Sequence, residues 1–515
     1  VARQVDKPTD ETIKETLESI VIAFILAFVF RAYVVEAFII PTGSMAPTLL
    51  GAHLRLTCEQ CGYTFTTDVP DRRSDNPAAL CPMCRQPNPV PMRPAARTGD
   101  RILVHKYIYN FSEPRRWDVV VFKAPHDPET NFIKRLVGLP GESLALLDGN
   151  VYVKPVGQPW QIARKSDRPK VQRAVWQPIY HSQYIPLDGG AAGPRRPHGL
   201  EWSAPWQGTG PGWEIDGRRS YQYTGTERSR ITFDFDRSAS DELAAVYPYN
   251  QFKGRTMEEP IEDIRLAATV QPQAAGLRVR LSTTARLDDT AAGSPPQILS
   301  ATLEADGMLS LQATDSETGR THTLQDEQLS PLAPGSNTLI ELWYVDQEAS
   351  VWIDGRLVLA EQFDLPLETL VARGGLQRGW APRILIEVEG SPVMLHRVEL
   401  DRDLYYSGRN PGGTIAQGAL LRNGEGPASG EPLHLRADEF FCMGDNSPWS
   451  YDGRYWELVD PWIEKRYLHG QHRLGVVPRE LMMGRAFFVY FPAPFPVMEN
   501  RHGVLPNFGD MRFIH

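Results

Sequence analysis

A chain of 515 residues exceeds what one ordinary hydrophobic core organises, so two or three domains are expected. Its formal net charge of -9 is spread without a long basic run, which argues against nucleic acid as a partner. Hydrophobic residues at 42% and charged residues at 23% place it among globular proteins, and nothing in the balance singles out an acidic substrate.

The first predicted element is apolar. Residues 1–36 hold a polar approach, ETIKETLE, and then SIVIAFILAFVFRAYVV over residues 19–35, whose only charge is Arg31. The uncharged part is too short to span a bilayer alone, but Arg31 can snorkel to the interface and extend the span towards about 20 residues. Neither face of the run is polar, as an amphipathic core helix requires, so a single transmembrane anchor is expected. No small-x-small site follows and Glu36 interrupts the boundary, so a cleavable leader fits less well.

Residues 37–154 carry short β-rich runs, RILVHKYIY and DVVVFKAP, bounded by Pro and Gly. Within them, residues 55–90 contain CEQC at Cys58 and Cys61 and CPMC at Cys81 and Cys84, with nineteen residues between the pairs. That spacing reads as a zinc-ribbon-like insert, four thiolates closing a tetrahedral structural Zn²⁺ site. Two disulfides are the alternative in an oxidising compartment. Cys442, beside Phe440, Phe441 and Met443, reads as a buried core thiol.

From residue 155 to 432 the texture changes to a long β-rich insert. GLRVRLST puts Leu277, Val279 and Leu281 on one face, and Asp354-Gly355 between two apolar runs is a hairpin signature. Many strands and almost no amphipathic helix predict a β-sandwich. Asp346 and Asp354 are a weak candidate pair for Ca²⁺. Residues 433–515 return to the earlier style, the pattern of one domain interrupted by another.

FIIPTGSMAPTLL, over residues 38–50, sets Ser44 between two prolines. Gly-Ser before Ala-Pro is an ordinary turn, and a serine becomes a nucleophile only with a base. None of the twelve histidines lies in a convincing motif. Lys134 in NFIKRLVGLPG sits among Phe132, Ile133, Leu136 and Val137, a context that either desolvates its amine or leaves it at an exposed strand edge.

Taken together, PTGSMAPTL, GDRILVHKYIY, DVVVFKAP, NFIKRLVGLPGE and GDNSPWSYDGR make the chain resemble the bacterial type I signal peptidases, membrane-anchored Ser/Lys proteases. The blocks cover about a third of the chain. The resemblance implies a mainly β, signal-peptidase-type catalytic domain after the anchor, with Ser44 as nucleophile and Lys134 as general base. It puts Thr42 with the Ser44 backbone N–H in the oxyanion hole, Ser450 beside the lysine amine as its orienting partner, and Asp452 with Arg454 as a supporting ion pair. The implied activity is removal of signal peptides from exported precursor proteins after a small-x-small site, without a catalytic cofactor. The implied setting is the cytoplasmic (inner) membrane and its lipid, single-pass, with the catalytic domain on the extracytoplasmic side.

Met45 is a candidate pocket wall, or equally a membrane-facing or core residue, and an extended substrate is expected to pair with a strand edge near Lys134. The ribbon, the sandwich, Gly453 and the stretch 457–474 depart from the family pattern. The sandwich loosely resembles concanavalin-like or laminin-G-like domains through GWEIDGRRSYQY and LWYVDQEASVWIDGRLV, so a carbohydrate or protein ligand is conceivable for it. The competing reading is a catalytically inactive, membrane-anchored binding protein that displays this sandwich.

Overall fold

The computed structural model describes residues 10–33, 35–70, 77–91, 96–187, 202–235, 248–253, 259–287, 296–373, 376, 382–422, 428–494 and 506–515. Helix α1, Asp10–Tyr33, covers most of the expected anchor, whose side chains from 26 to 34 lie outside the described part. Leu17, Ile20, Val21, Ile22, Phe24 and Ile25 of this helix are exposed. Among the described residues no helix is long and apolar enough to cross a membrane, so the transmembrane reading of this segment finds no support in the fold.

The first sheet takes its strands from both ends of the chain: β1 (Val35–Ile39), β2 (Arg101–Lys106), β3 (Val119–Ala124), β4 (Asp127–Gly138), β5 (Glu439–Met443), β6 (Val476–Pro478) and β7 (Met482–Phe491). Their order is β1-β2-β7-β3-β4-β5-β6, with the short strand Arg512–Phe513 added beside β7. The apolar runs read from the sequence are these strands. Val120 pairs with Lys134 and Val119 with Arg135 across β3 and β4, so the two basic residues project to opposite faces.

A second, four-stranded sheet joins Glu142–Leu147, Asn150–Pro155, Gln161–Ile162 and Leu433–His434. Its presence moves the expected domain edges. Gln161–Ile162 pairs with Tyr152 and Val153, and Leu404, Tyr406, Ala416 and Ala419 pack into the core shared with β3, β4 and β5. The Gly- and Pro-rich texture of 408–432 reads as linker, but Ala416, Ala419 and Leu420 within it are buried, so the insert begins later and ends earlier than 155 and 432.

The insert is a sandwich of two antiparallel sheets. One runs through Ser220–Tyr223, Val393–Arg402, Ile264–Pro272, Thr338–Val345, Glu348–Ile353 and Arg356–Gln362. The other runs through Ser229–Phe233, Leu385–Glu389, Arg278–Ala285, Gln297–Leu303, Met308–Thr314 and Thr321–Gln328. Leu277, Val279 and Leu281 do share a buried face, and meet Leu266, Val270, Leu342 and Leu395 in one core. Asp354 and Gly355 make the expected hairpin with φ of 48° and 80°. A second hairpin turns on Asp346 and Gln347, both at positive φ, without any glycine to announce it.

Residues 54–89 form two small hairpins, Leu54–Thr57 with Thr64–Thr67 and Ala78–Leu80 with Pro87–Pro89, each closed by a C-x-x-C turn. Their side chains join the core of the sandwich, with Tyr63 edge-on to Tyr184 at 4.8 Å. The ribbon therefore docks on the insert.

Candidate active site

After β1, the segment Gly43–Met45 makes one 3₁₀ turn. Met45 and Leu49 are fully buried among Ile40, Ile102, Val104 and Val121, which pins the turn and leaves half-buried Ser44 facing the other way. Met45 is thus a core residue; the alternative of a pocket wall is set aside.

Lys134, near the middle of β4, approaches from the sheet, and its Nζ lies 2.8 Å from Ser44 Oγ. The side chain is 4% exposed. Burial lowers its pKa to about 8, against the opposing pull of Asp452, whose negative charge favours the ammonium. A buried amine that reaches neutrality at mildly alkaline pH and touches a hydroxyl can accept that hydroxyl's proton.

The segment 444–454 closes the site. A Cβ on Gly444 would lie 2.2 Å from Ser450 Oγ and 2.4 Å from Ser44 O, so only glycine allows this approach. Asp452 accepts from the Gly444 N–H at 2.8 Å and pairs with Arg454 through two bonds, Nε to Oδ1 at 2.9 Å and Nη2 to Oδ2 at 2.8 Å. Both side chains are fully buried, and Arg454 also donates to Ser447 Oγ at 2.6 Å and Ser407 O at 3.1 Å. This is the expected ion pair. Its role is to hold the loop carrying Ser450.

Two expectations fit less closely. Thr42 Oγ1 points at Ser44 Oγ from 3.5 Å and is exposed, a long contact. Ser450 is buried where expected, but its Oγ has no hydrogen-bond partner. The expected bond to the lysine amine is not formed: the Lys134 hydrogen bond goes to Ser44.

Other groups were not foreseen. Arg135 reaches the opposite face and forms a bidentate pair with Asp445 at 2.8 and 2.7 Å, both buried. Asn446 donates its backbone N–H to Ser44 O at 3.0 Å and its Nδ2 to Gly43 O at 2.9 Å. Both residues stand in the quoted GDNSPW stretch, the one signal that could have found them.

The four cysteines of the ribbon converge. All are buried and unpaired by disulfides, with Sγ atoms within 4.8 Å of one another. Cys58 and Cys84 are 3.5 Å apart, as are Cys61 and Cys81. A tetrahedron with Zn–S bonds of about 2.3 Å has edges of about 3.8 Å, so the donor set fits such an ion. Cys442 is buried in the core beneath β4 and β5, where desolvation pushes its thiol well up.

Asp346 and Asp354 share no site. Asp346 is bonded to the Lys165 ammonium and backbone, while Asp354, at the other end of Glu348–Ile353, accepts from the Leu339 N–H. Trp343 and Trp352 stack at 4.6 Å and are buried under Arg173, so they are not offered to a ligand.

Two separated stretches, residues 83–190 and 402–491, match one family, signal peptidase, peptidase S26. They hold Lys134, Ser450, Asp452 and Arg454, flank the sandwich, and begin well after Ser44. Signal peptidase I of Rickettsia massiliae is 30% identical over 145 residues, 28% of this chain and 44% of that protein. Signal peptidase I of Rickettsia typhi is 30% identical over 145 residues, 28% and 45%. The chain thus spans less than half the length of the curated relatives it matches. Among solved structures, a carbohydrate binding module from Bacillus subtilis aligns with 39% of this chain and 96% of its own at 10% identity and a TM-score of 0.24. A Bacillus licheniformis β-glucanase aligns with 38% and 91% at 10% identity and a TM-score of 0.23.

Proposed function

We propose that this protein is a serine endopeptidase that removes signal peptides from exported precursors after a small-x-small site. The observation that carries this is the 2.8 Å contact between Ser44 Oγ and a desolvated Lys134 amine, in a chain whose flanking stretches match signal peptidases. The neutral amine takes the Ser44 proton as Oγ attacks the scissile carbonyl; the protonated amine then delivers it to the leaving amine. The acyl-enzyme is hydrolysed by a water that Lys134 deprotonates. The Ser44 N–H and the Thr42 hydroxyl serve as oxyanion donors, each worth about 3 kcal/mol in comparable sites.

Strand β5 pairs with β4 only from Arg135 to Gly138, so on that side the part of β4 before Lys134 is unpaired among the described residues. An extended substrate backbone docks there, its carbonyl delivered between Lys134 and Ser44. In this reading the apolar segment at residues 19–35 anchors the protein and puts the site beside the bilayer, on the extracytoplasmic side where signal peptides emerge. In this reading Cys58, Cys61, Cys81 and Cys84 hold a structural Zn²⁺ with no open position and no part in the chemistry.

A peptidyl boronate with small residues at both recognition positions tests the assignment. It should form a covalent adduct with the intact protein and none with Ser44→Ala. An adduct elsewhere, or equal inhibition of both proteins, would sink it.

A further inference from the structure

The short turn Pro248–Asn250 belongs by sequence to the sandwich, yet it lies against the nucleophile. Tyr249 covers Gly43 so closely that a Cβ there would sit 2.5 Å from its Cε1, and the Tyr249 hydroxyl donates to Ala52 O at 3.3 Å. Asn250 is 2% exposed and exchanges two hydrogen bonds with Asn446: its Nδ2 donates to Asn446 Oδ1 at 2.6 Å, and Asn446 Nδ2 donates back to its Oδ1 at 2.9 Å. Asn446 Nδ2 also donates to Gly43 O, so both hydrogens of that amide are used.

This arrangement has directional content. The Gly43 carbonyl and the Ser44 N–H share one planar peptide and point opposite ways. Holding the carbonyl therefore aims the N–H that receives the oxyanion. Without Asn250, the Asn446 amide keeps only its bond to Gly43 O, so that carbonyl is left to a loosened side-chain donor and to the Ala46 N–H at 3.0 Å, and the peptide plane is held less firmly. The ribbon grips the other side of the turn: Tyr249 O accepts from the Asp68 N–H at 2.7 Å, Asp68 Oδ1 accepts from the Phe252 N–H at 3.0 Å, and Gln251 Nε2 donates to Leu80 O at 2.9 Å.

We propose that Asn250 is a positioning residue lent by the inserted sandwich to the catalytic domain, fixing through the Asn446 amide the peptide plane that aims the Ser44 N–H. The proposal rests on Ser44 being the nucleophile, and it gives the insert a task within the reaction.

The test is steady-state cleavage of a precursor with an Ala-x-Ala site by the full chain, comparing wild type, Asn250→Ala and Asn250→Asp, with thermal unfolding of each. A misaimed donor costs turnover more than binding. Asn250→Ala should lose about 10- to 100-fold in kcat with KM within about twofold, and the pH at half-maximal kcat/KM should not move, because the base is untouched. Asn250→Asp keeps the acceptor for Asn446 Nδ2 and should fall between. Wild-type kcat in a folded Asn250→Ala, or a loss matched by the fall in folded fraction, overturns the proposal. Should the alanine variant unfold, wild-type kcat in Asn250→Asp overturns it. A wild type that does not cut overturns this and the assigned function together; a cutting wild type with an unaffected Asn250→Ala overturns this alone.

Discussion

Lys134 carries the sharpest residue-scale consequence. Its charged form is penalised by burial, so the amine is protonated and inactive below a pKa of about 8 and becomes a base above it. Between pH 6 and 7, kcat/KM should rise about tenfold per pH unit, then level off above about 8. A flat profile across that range would show that no amine of this pKa limits the reaction. Gly444 supplies a second test. An added Cβ meets Ser44 O and Ser450 Oγ, so Gly444→Ala should cost at least about 100-fold in kcat while the cysteine hairpins and the sandwich stay folded, as judged by limited proteolysis. Ser44 and Lys134 were singled out through the resemblance of the blocks that carry them, since the residues around each read equally well as an ordinary turn and as an exposed strand edge. Asn446 was harder to read, since its work is done through backbone carbonyls that carry no side-chain signature. Asn250 was unreadable, because its partner lies 196 residues away.

Among the elements, the ribbon shows how two different sequences make one turn. In the first knuckle the Cys58 N–H donates to Tyr63 O and the Gly62 N–H to Cys58 O; in the second the Cys81 N–H donates to Gln86 O and the Arg85 N–H to Cys81 O. The residue after the second cysteine has positive φ in both, 75° at Gly62 and 62° at Arg85. Spacing alone made the cluster legible, and the repeated turn explains why: each C-x-x-C directs two thiols to one side. One zinc per chain is expected by metal analysis, and Cys81→Ser should reduce its retention and expose the segment 54–90 to protease. Full metal retention in that variant would show that the four thiols do not act as one site.

At the scale of the molecule, the domain carrying Ser44 and Lys134 and its insert are clamped together by buried charge. Lys165 Nζ, 1% exposed, reaches Asp346 Oδ1 at 2.7 Å in a sandwich hairpin and Asp403 Oδ2 at 2.9 Å just past its last strand. Burial opposes the charge, but the two carboxylates outweigh it and hold the ammonium above its ordinary pKa. Lys165→Met strands two buried carboxylates and should cost about 3–5 kcal/mol of stability, seen as a lower unfolding midpoint in urea. An unchanged midpoint would show that the clamp is not a stabilising contact. That the chain contained one interrupted β domain was legible from the return of its apolar style after residue 433. The edges of the interruption were not, since buried loops rich in Gly and Pro look like linkers until their partners are known. The central claim is that Ser44 and Lys134 form one catalytic pair. The direct measurement is cleavage of a detergent-solubilised precursor carrying an Ala-x-Ala site by the intact protein, Ser44→Ala and Lys134→Ala, with the new N-terminus sequenced. Cutting at that site, lost in both variants, is the expected result; cutting that survives either substitution, or none by well-folded protein, would contradict it.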